Sequence, residues 1–128
     1  VIVGIGLDLV KRERFAASIK KHGDRFIQRI CTNSEQRYAE SKGADPLHYA
    51  GLWAVKESLV KALGTGFTGG IGWHDIEVSH DALGKPMVTL SGKAKQVADA
   101  MGAETIFVSI THDTDWSVAQ VILERAPG

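Results

Sequence analysis

The chain has 128 residues, 44% of them hydrophobic, and its 15 basic and 15 acidic residues cancel to a net charge of +0. That length suits one domain over residues 1–128 with a modest core, and the neutral balance gives no electrostatic support to general nucleic-acid binding. No apolar run approaches the roughly 20 residues that a bilayer crossing needs, so no membrane span is expected, and the lone Cys31 excludes an internal disulfide or a cysteine zinc cluster.

A single cysteine fits a reducing cytosol, and a cytoplasmic location is expected. The opening Val1-Ile-Val-Gly-Ile-Gly6 has neither a basic leader nor a small-residue cleavage site, so no signal peptide is expected. Residues 1–10 are apolar and β-branched, which predicts a buried strand, and Gly4 and Gly6 mark a close approach by backbone or ligand. Asp8 interrupts this run, either exposed at an edge or held for a cation.

Residues 11–21 predict an amphipathic helix with Phe15 and Ile19 inward, stopped by Gly23, and Phe26, Ile27 and Ile30 predict a further helical turn. Residues 11–29 hold seven basic residues against Glu13 and Asp24, which reads either as a docking surface for an acidic partner or as a solvated face. Thr32 with Glu35 three residues on is a helix-start signature, and Gly43, Asp45 and Pro46 break that helix.

A long helix is predicted from about Leu47 to Leu63, capped by Gly64. At about 100° per residue, Leu52, Val55, Leu59, Ala62 and Leu63 form its apolar stripe, while Trp53, Glu57 and Lys61 align on the opposite side. Taken alone, that side is a solvated face with a Glu57–Lys61 pair worth a few tenths of a kcal/mol. Trp53 fits that reading poorly, because an indole on a polar face wants a partner surface or a pocket wall.

A glycine-rich segment over 64–72 follows. Alternation predicts a hairpin of strands 75–80 and 85–90 around the turn 81–84, and another of strands 105–111 and 116–123 around 112–115. Between the hairpins, Ser91 is expected to cap a helix that ends at Gly102, and a frayed tail is expected at 126–128. The sum is an α+β domain: a largely antiparallel sheet packed against helices on one side, with one long central helix.

Gly64-Thr-Gly66-Phe-Thr-Gly69 matches a dinucleotide fingerprint in letters only, since it follows a helix rather than joining a strand to one. Ser109, His112 and Asp113 or Asp115 crowd one strand end without a nucleophile elbow, and the five histidines lack zinc spacing. Asp8 and Glu57 are the carboxylate pair that suits magnesium alongside substrate phosphates.

Two signatures carry a family resemblance: Gly4-Ile-Gly-Leu-Asp8, and Trp53-Ala-Val-Lys-Glu57-Ser-Leu-Val-Lys61-Ala-Leu-Gly-Thr-Gly66. Arg25-Phe26, Ile30-Cys-Thr32, Gly84-Lys-Pro86 and Ser109-Ile-Thr-His112 occur in the same order. On these the chain resembles the holo-[acyl-carrier-protein] synthases, small bacterial phosphopantetheinyl transferases. The resemblance implies a phosphopantetheinyl transferase-like fold and transfer of the phosphopantetheine arm of coenzyme A to a serine of apo acyl carrier protein. It implies adenosine 3′,5′-bisphosphate as the second product and a place in fatty acid biosynthesis.

By that resemblance Asp8 and Glu57 hold Mg²⁺ with the pyrophosphate, and Lys61 reaches a phosphate oxygen. Glu57, directly or through water, is the candidate base for the carrier serine. Gly64, Thr65 and Gly66 lie along the nucleotide, and Lys85, Pro86 and His112 contact the adenosine side. Arg14, Lys21 and Arg25 dock the acidic recognition helix of the carrier protein. The family pattern is a homotrimer with active sites between subunits. Two departures stand out: Leu52-Trp53 replaces a common Arg-Phe, and the segment 41–48 offers only Lys42 and His48 as basic groups for the 3′-phosphate. A non-catalytic binding module and a magnesium-dependent phosphohydrolase are the competing classes.

Overall fold

The computed structural model describes residues 1–127; Gly128, the end of the expected frayed tail, lies outside the described residues. In chain order the elements are β1 (Ile2–Lys11), α1 (Arg12–His22), α2 (Asp24–Ile30), α3 (Asn33–Ser41) and α4 (Pro46–Leu63). A 3₁₀ turn (Trp73–Asp75), β2 (Ile76–His80), β3 (Pro86–Leu90), α5 (Gly92–Ala100), β4 (Thr105–His112) and β5 (Trp116–Glu124) follow. The strands are antiparallel throughout, as expected, but they form two sheets: β1-β5-β4, and a separate β2-β3 hairpin. Alternation specifies each hairpin and leaves open which strand edges meet.

Local chemistry sets the helix ends. Thr32 and Glu35 form a reciprocal capping box at α3, with Glu35 Oε1 accepting from the Thr32 N–H at 2.7 Å. Asp45 caps α4 by accepting from the Leu47 N–H at 2.9 Å, with Pro46 in its first turn. Gly64 ends α4 in the left-handed region at φ 80°. Ser91 precedes α5 without a side-chain cap, contrary to expectation; its own N–H is engaged by the Asp75 carbonyl at 2.8 Å.

The helix α4 is the centre of the molecule. The predicted stripe is buried, and so are Ala54, Lys56, Ser58 and Val60, because β1 and β5 cover one side while α1, α3 and β2 cover others. Fully burying side chains such as Val55, Leu59 and Val60 contributes about 1.5–3 kcal/mol each. From Tyr49 to Leu63 one strip stays open: Trp53 and Glu57 are half-buried and Lys61 is exposed.

Gly4 and Gly6 let β1 lie directly on α4. A Cβ at Gly6 would collide with the Ser58 carbonyl, and one at Gly4 with the Ala62 carbonyl. Side chains alternate along a strand, so Asp8 shares the α4-facing side with these glycines. Ile5, Leu7 and Leu9 point the other way and are more than half exposed. They form cross-strand rows with Ile122, Gln120 and Val118 of β5, and Phe107 of β4 extends the first row. The outer face of the three-stranded sheet is therefore an open apolar surface.

The most deeply buried charge is Lys56, which the helical wheel left unassigned. Its ammonium donates to Glu35 Oε1 at 2.7 Å, to the Ile30 carbonyl at 2.6 Å and to the Trp73 carbonyl at 3.0 Å. Glu35 Oε2 accepts from the Val78 N–H at 2.7 Å. All three ammonium protons and both carboxylate oxygens are thus engaged. Removing one member of a buried pair strands the other's charge, a loss of about 3–5 kcal/mol. Lys56→Met is expected to lower the urea-unfolding free energy by about that amount. Adding Glu35→Gln should restore part of it, because the amide oxygen still accepts a backbone N–H and the orphan charge is gone.

Candidate functional site

The contact of Gly6 with α4 delivers Asp8 to the open strip of that helix. Lys61 Nζ donates to Asp8 Oδ1 at 3.0 Å and to the Leu7 carbonyl at 3.0 Å. The helix-internal Glu57–Lys61 pair expected from spacing is therefore not made; the lysine pairs with the carboxylate from β1 instead. A cross-element partner held against a buried strand wins over a neighbour on a half-exposed turn.

Glu57 is left without a cation of its own. Burial pushes its carboxyl above the usual value of 4.5, the Asp8 charge adds to the shift, and Lys61 opposes it. Asp8 Oδ2 is buried and has no hydrogen-bond partner. A buried, unpartnered carboxylate oxygen is costly, and near a second carboxylate, Glu57, it describes a place that a divalent cation would satisfy. Among the described residues no group of three or more His, Cys, Asp or Glu could hold a metal ion. A two-carboxylate site needs further oxygens from water or phosphate, which is the habit of magnesium.

Asp8 also lines a cavity of about 380 Å³ with Arg14, Phe15, Ser18, Phe26, Trp53 and Trp116 among its walls. The partner that Trp53 wants lies mainly within the chain. Its ring is 4.4 Å from Trp73, 5.9 Å from Phe15 and 6.0 Å from Phe26, and Phe67 stacks on Trp73 at 3.8 Å. This aromatic ladder joins the segment after Gly64–Gly66 to α1 and α2. Lys21 and Arg25 are exposed beyond the cavity, on α1 and α2.

A second cleft, about 330 Å³, lies at the other end of α4. Pro86 and His112 line it together with Tyr38, Lys42, His48, Gly51 and His80. Lys85 is exposed at the start of the β3 edge and is not part of the lining. From Gly51 in this cleft to Lys61 is roughly 15 Å along the helix axis. One chain thus separates Asp8, Glu57, Lys61 and Gly64–Gly66 from Pro86 and His112, although the resemblance assigned all of them to one coenzyme.

Sequence reading missed Tyr38 and His80 as cleft residues. The signal was present for His80, which falls on the same side of β2 as Ile76 and Val78. Two side chains with nucleophilic atoms are shut off from solvent. Cys31 is fully buried and its thiol is pushed up to about 12, by burial first and then by the Glu35 charge. Ser117, the hydroxyl that faces His112, is fully buried.

With this geometry in place, the relatives can be set beside it. Residues 4–121 match the model of the 4′-phosphopantetheinyl transferase superfamily. The chain is 44% identical over 124 residues to the holo-[acyl-carrier-protein] synthase of Koribacter versatilis, covering 97% of this chain and 99% of the relative. The Neisseria meningitidis holo-[acyl-carrier-protein] synthase crystal structure superposes with a TM-score of 0.88 at 33% identity, covering 98% of this chain and 100% of the other. A Bacillus anthracis holo-(acyl-carrier-protein) synthase in complex with CoA (3′,5′-ADP) superposes with a TM-score of 0.79 at 34% identity, covering 98% of both chains. The chain belongs to the 4′-phosphopantetheinyl transferase superfamily. Among the described residues no helix is long and apolar enough to cross a membrane.

The raised Glu57 carboxyl has a stability consequence. The folded state holds this proton to higher pH than the unfolded state does. Its stabilising contribution is therefore present below about 4.5 and is lost as pH rises through the folded value. In chelated, metal-free protein, Glu57→Gln is expected to raise the melting temperature at neutral pH. The gain should vanish near pH 4, where both side chains are neutral, and differential scanning calorimetry across that range measures it.

Proposed function

We propose that this chain is a holo-[acyl-carrier-protein] synthase: it transfers the phosphopantetheine arm of coenzyme A to a serine of apo acyl carrier protein. The serine oxygen forms a bond to the β-phosphorus, the bond from that phosphorus to the bridging oxygen breaks, and adenosine 3′,5′-bisphosphate leaves. The observation that carries this reading is the meeting of Asp8, Glu57 and Lys61 on the open strip of α4, with Asp8 Oδ2 buried and unpartnered. These residues suit Mg²⁺, with Asp8 and Glu57 as its protein ligands. Bound there, Mg²⁺ would supply neutralisation of the pyrophosphate and of charge growing on the leaving phosphate.

Lys61 has a dual capacity. It shields Asp8 while the site is empty of substrate, and its half-exposed side chain can turn to a phosphate oxygen. In this reading Glu57 takes the serine proton, directly or through water. Gly64, Thr65 and Gly66, just beyond Lys61, offer open backbone to the nucleotide. Arg14 borders the cavity that begins at Asp8, and Lys21 and Arg25 are exposed nearby, so an acidic helix docked on α1 and α2 would place its serine at that cavity.

The distance between Lys61 and the His112 cleft argues for assembly. Copies of this chain meeting at the open sheet face would cover Ile5, Leu7, Leu9 and Phe107 and could bring one chain's Asp8 cluster to another's Pro86 and His112. We read the enzyme as a cytoplasmic homotrimer with sites between subunits, acting in fatty acid biosynthesis.

The test incubates the protein with apo acyl carrier protein, coenzyme A and Mg²⁺ and weighs the carrier by mass spectrometry. A gain of one phosphopantetheine is expected, falling by at least about 10²-fold in rate for Asp8→Ala and Glu57→Ala and on chelation. Consumption of coenzyme A with no mass gain on any carrier would mean hydrolysis and sink the proposal. For assembly, sedimentation equilibrium is expected to give a trimer, and Ile5→Glu with Phe107→Glu to give monomers that have lost turnover. A monomeric, fully active protein would overturn the shared site.

A further inference from the structure

Lys56 takes no direct part in the chemistry proposed above, yet it is fully buried beside it. A buried ammonium costs desolvation that an apolar side chain of similar shape avoids. Its bonds are also more than those of an ion pair. Besides Glu35, it donates to two backbone carbonyls, Ile30 at the end of α2 and Trp73 in the 3₁₀ turn. Glu35 in turn accepts from the N–H groups of Thr32 at the cap of α3 and Val78 in β2. One pair of side chains therefore gathers backbone from four elements around one point on α4.

Two routes lead from that point to the open strip. The first runs along the helix. Lys56 precedes Glu57, so the rotation of α4 that suits the three acceptors also sets where Glu57 points, about 100° further round.

The second route runs through Trp73. Lys56 holds its carbonyl at 3.0 Å, and His74 Nε2 ties the same turn to the Gln28 carbonyl at 2.7 Å. The Trp73 indole stacks on Trp53 at 4.4 Å with the planes 29° apart. Phe67, the residue after Gly66, stacks on the same indole at 3.8 Å. Trp53 lies one turn before Glu57 and walls the cavity that begins at Asp8. The seat of Trp73 thus bears on both the cavity wall and the glycine-rich segment. An apolar side chain at 56 would fill the core and hold neither route.

We propose that Lys56, with Glu35, is the positioning pair of the site: it orients Glu57 along the helix and seats the Trp73–Trp53 stack through the Trp73 carbonyl. The inference rests on the reading above that Asp8 and Glu57 hold Mg²⁺ for phosphopantetheine transfer. The pair touches neither metal nor substrate and acts through the residues it orients. Its removal should therefore weaken metal binding and disturb the stack by more than loss of stability alone would.

Three variants separate position from stability. Lys56→Met with Glu35→Gln removes both charges together. Glu35→Gln alone keeps the ammonium, but its amide must turn an NH₂ group toward a donor that the carboxylate accepted from. Leu123→Ala opens a cavity in β5, an element that the pair does not bond, and leaves the pair intact. Urea unfolding ranks their stabilities, and the other measurements are made well below every melting temperature. Far-ultraviolet circular dichroism of the metal-free protein reads the excitonic couplet of the stacked indoles. Titration calorimetry with coenzyme A present reads Mg²⁺ affinity. The double variant is expected to lose the couplet and to bind Mg²⁺ about 10- to 100-fold more weakly. Glu35→Gln should bind it a few-fold more weakly. Leu123→Ala should keep the couplet and the wild-type affinity despite its lower stability.

A folded double variant with wild-type couplet and Mg²⁺ affinity overturns the proposal. So does Leu123→Ala losing both, since position would then merely follow stability. If the double variant does not fold, Glu35→Gln decides, and wild-type Mg²⁺ affinity there sinks the idea. Where the proposal fails but the carrier still gains phosphopantetheine, only the positioning role is lost. Where the variants behave as expected but no carrier gains mass, the positioning pair stands and the transfer reading fails. A wild-type protein that binds no Mg²⁺ beside coenzyme A removes both.

Discussion

The buried pair of Lys56 and Glu35 sets the geometry on which the site depends. Both side chains are fully inaccessible, and between them they engage the end of α2, the cap of α3, the middle of β2 and the 3₁₀ turn. An ion pair this deep adds little net stability over a well-packed apolar alternative. What it adds is position. Lys56 can satisfy its three protons in one rotational setting of α4 only. The next residue, about 100° further round, is then Glu57, which is turned onto the strip shared with Trp53 and Lys61.

The second constraint is steric and lies on the other side of the helix. Gly6 lies against Ser58, whose hydroxyl donates to the Ala119 carbonyl of β5 at 3.0 Å. Backbone of β1, backbone of α4 and a carbonyl of β5 are thus joined through residues with little or no side chain. Any larger residue at 6 would lift the strand and carry Asp8 away from Lys61. Buried charge fixes the phase of the helix, glycine fixes the height of the strand, and the two carboxylates meet as a result.

Much of this was legible in the sequence. The element order, both hairpins, the Thr32 capping box, the Gly64 cap and the open strip of Trp53, Glu57 and Lys61 follow from periodicity and cap chemistry. The meaning of Gly4 and Gly6 as a close approach was legible too, although not what approached. Three things were not. Lys56 reads from its letter as a solvent residue, because its partner is 21 positions away and only the fold supplies it. The Lys61–Asp8 pair replaced the local Glu57–Lys61 pair because a partner 53 positions away leaves no trace in helical spacing. Tyr38 and His80 were not singled out beside His48 and His112, because the lining of that cleft comes from α3, α4, β2 and β4.

The site also leaves polar demand unmet. Lys56 has all three protons engaged and Glu35 both oxygens, whereas Asp8 Oδ2 has no partner and Glu57 is pushed toward its protonated form. The same helix carries both arrangements on different sides. A fold that can satisfy a fully buried ammonium could have paired Glu57 as well, and Lys61, one turn away, was available to do so. Its commitment to Asp8 leaves one carboxylate half neutralised and the other short of positive charge. That imbalance is a cost in the empty protein, and it is the unmet charge that the proposed divalent cation would satisfy once phosphate oxygens completed its shell. Stability is therefore concentrated where α4 meets the core, and the open strip keeps its unmet electrostatic demand for the ligand.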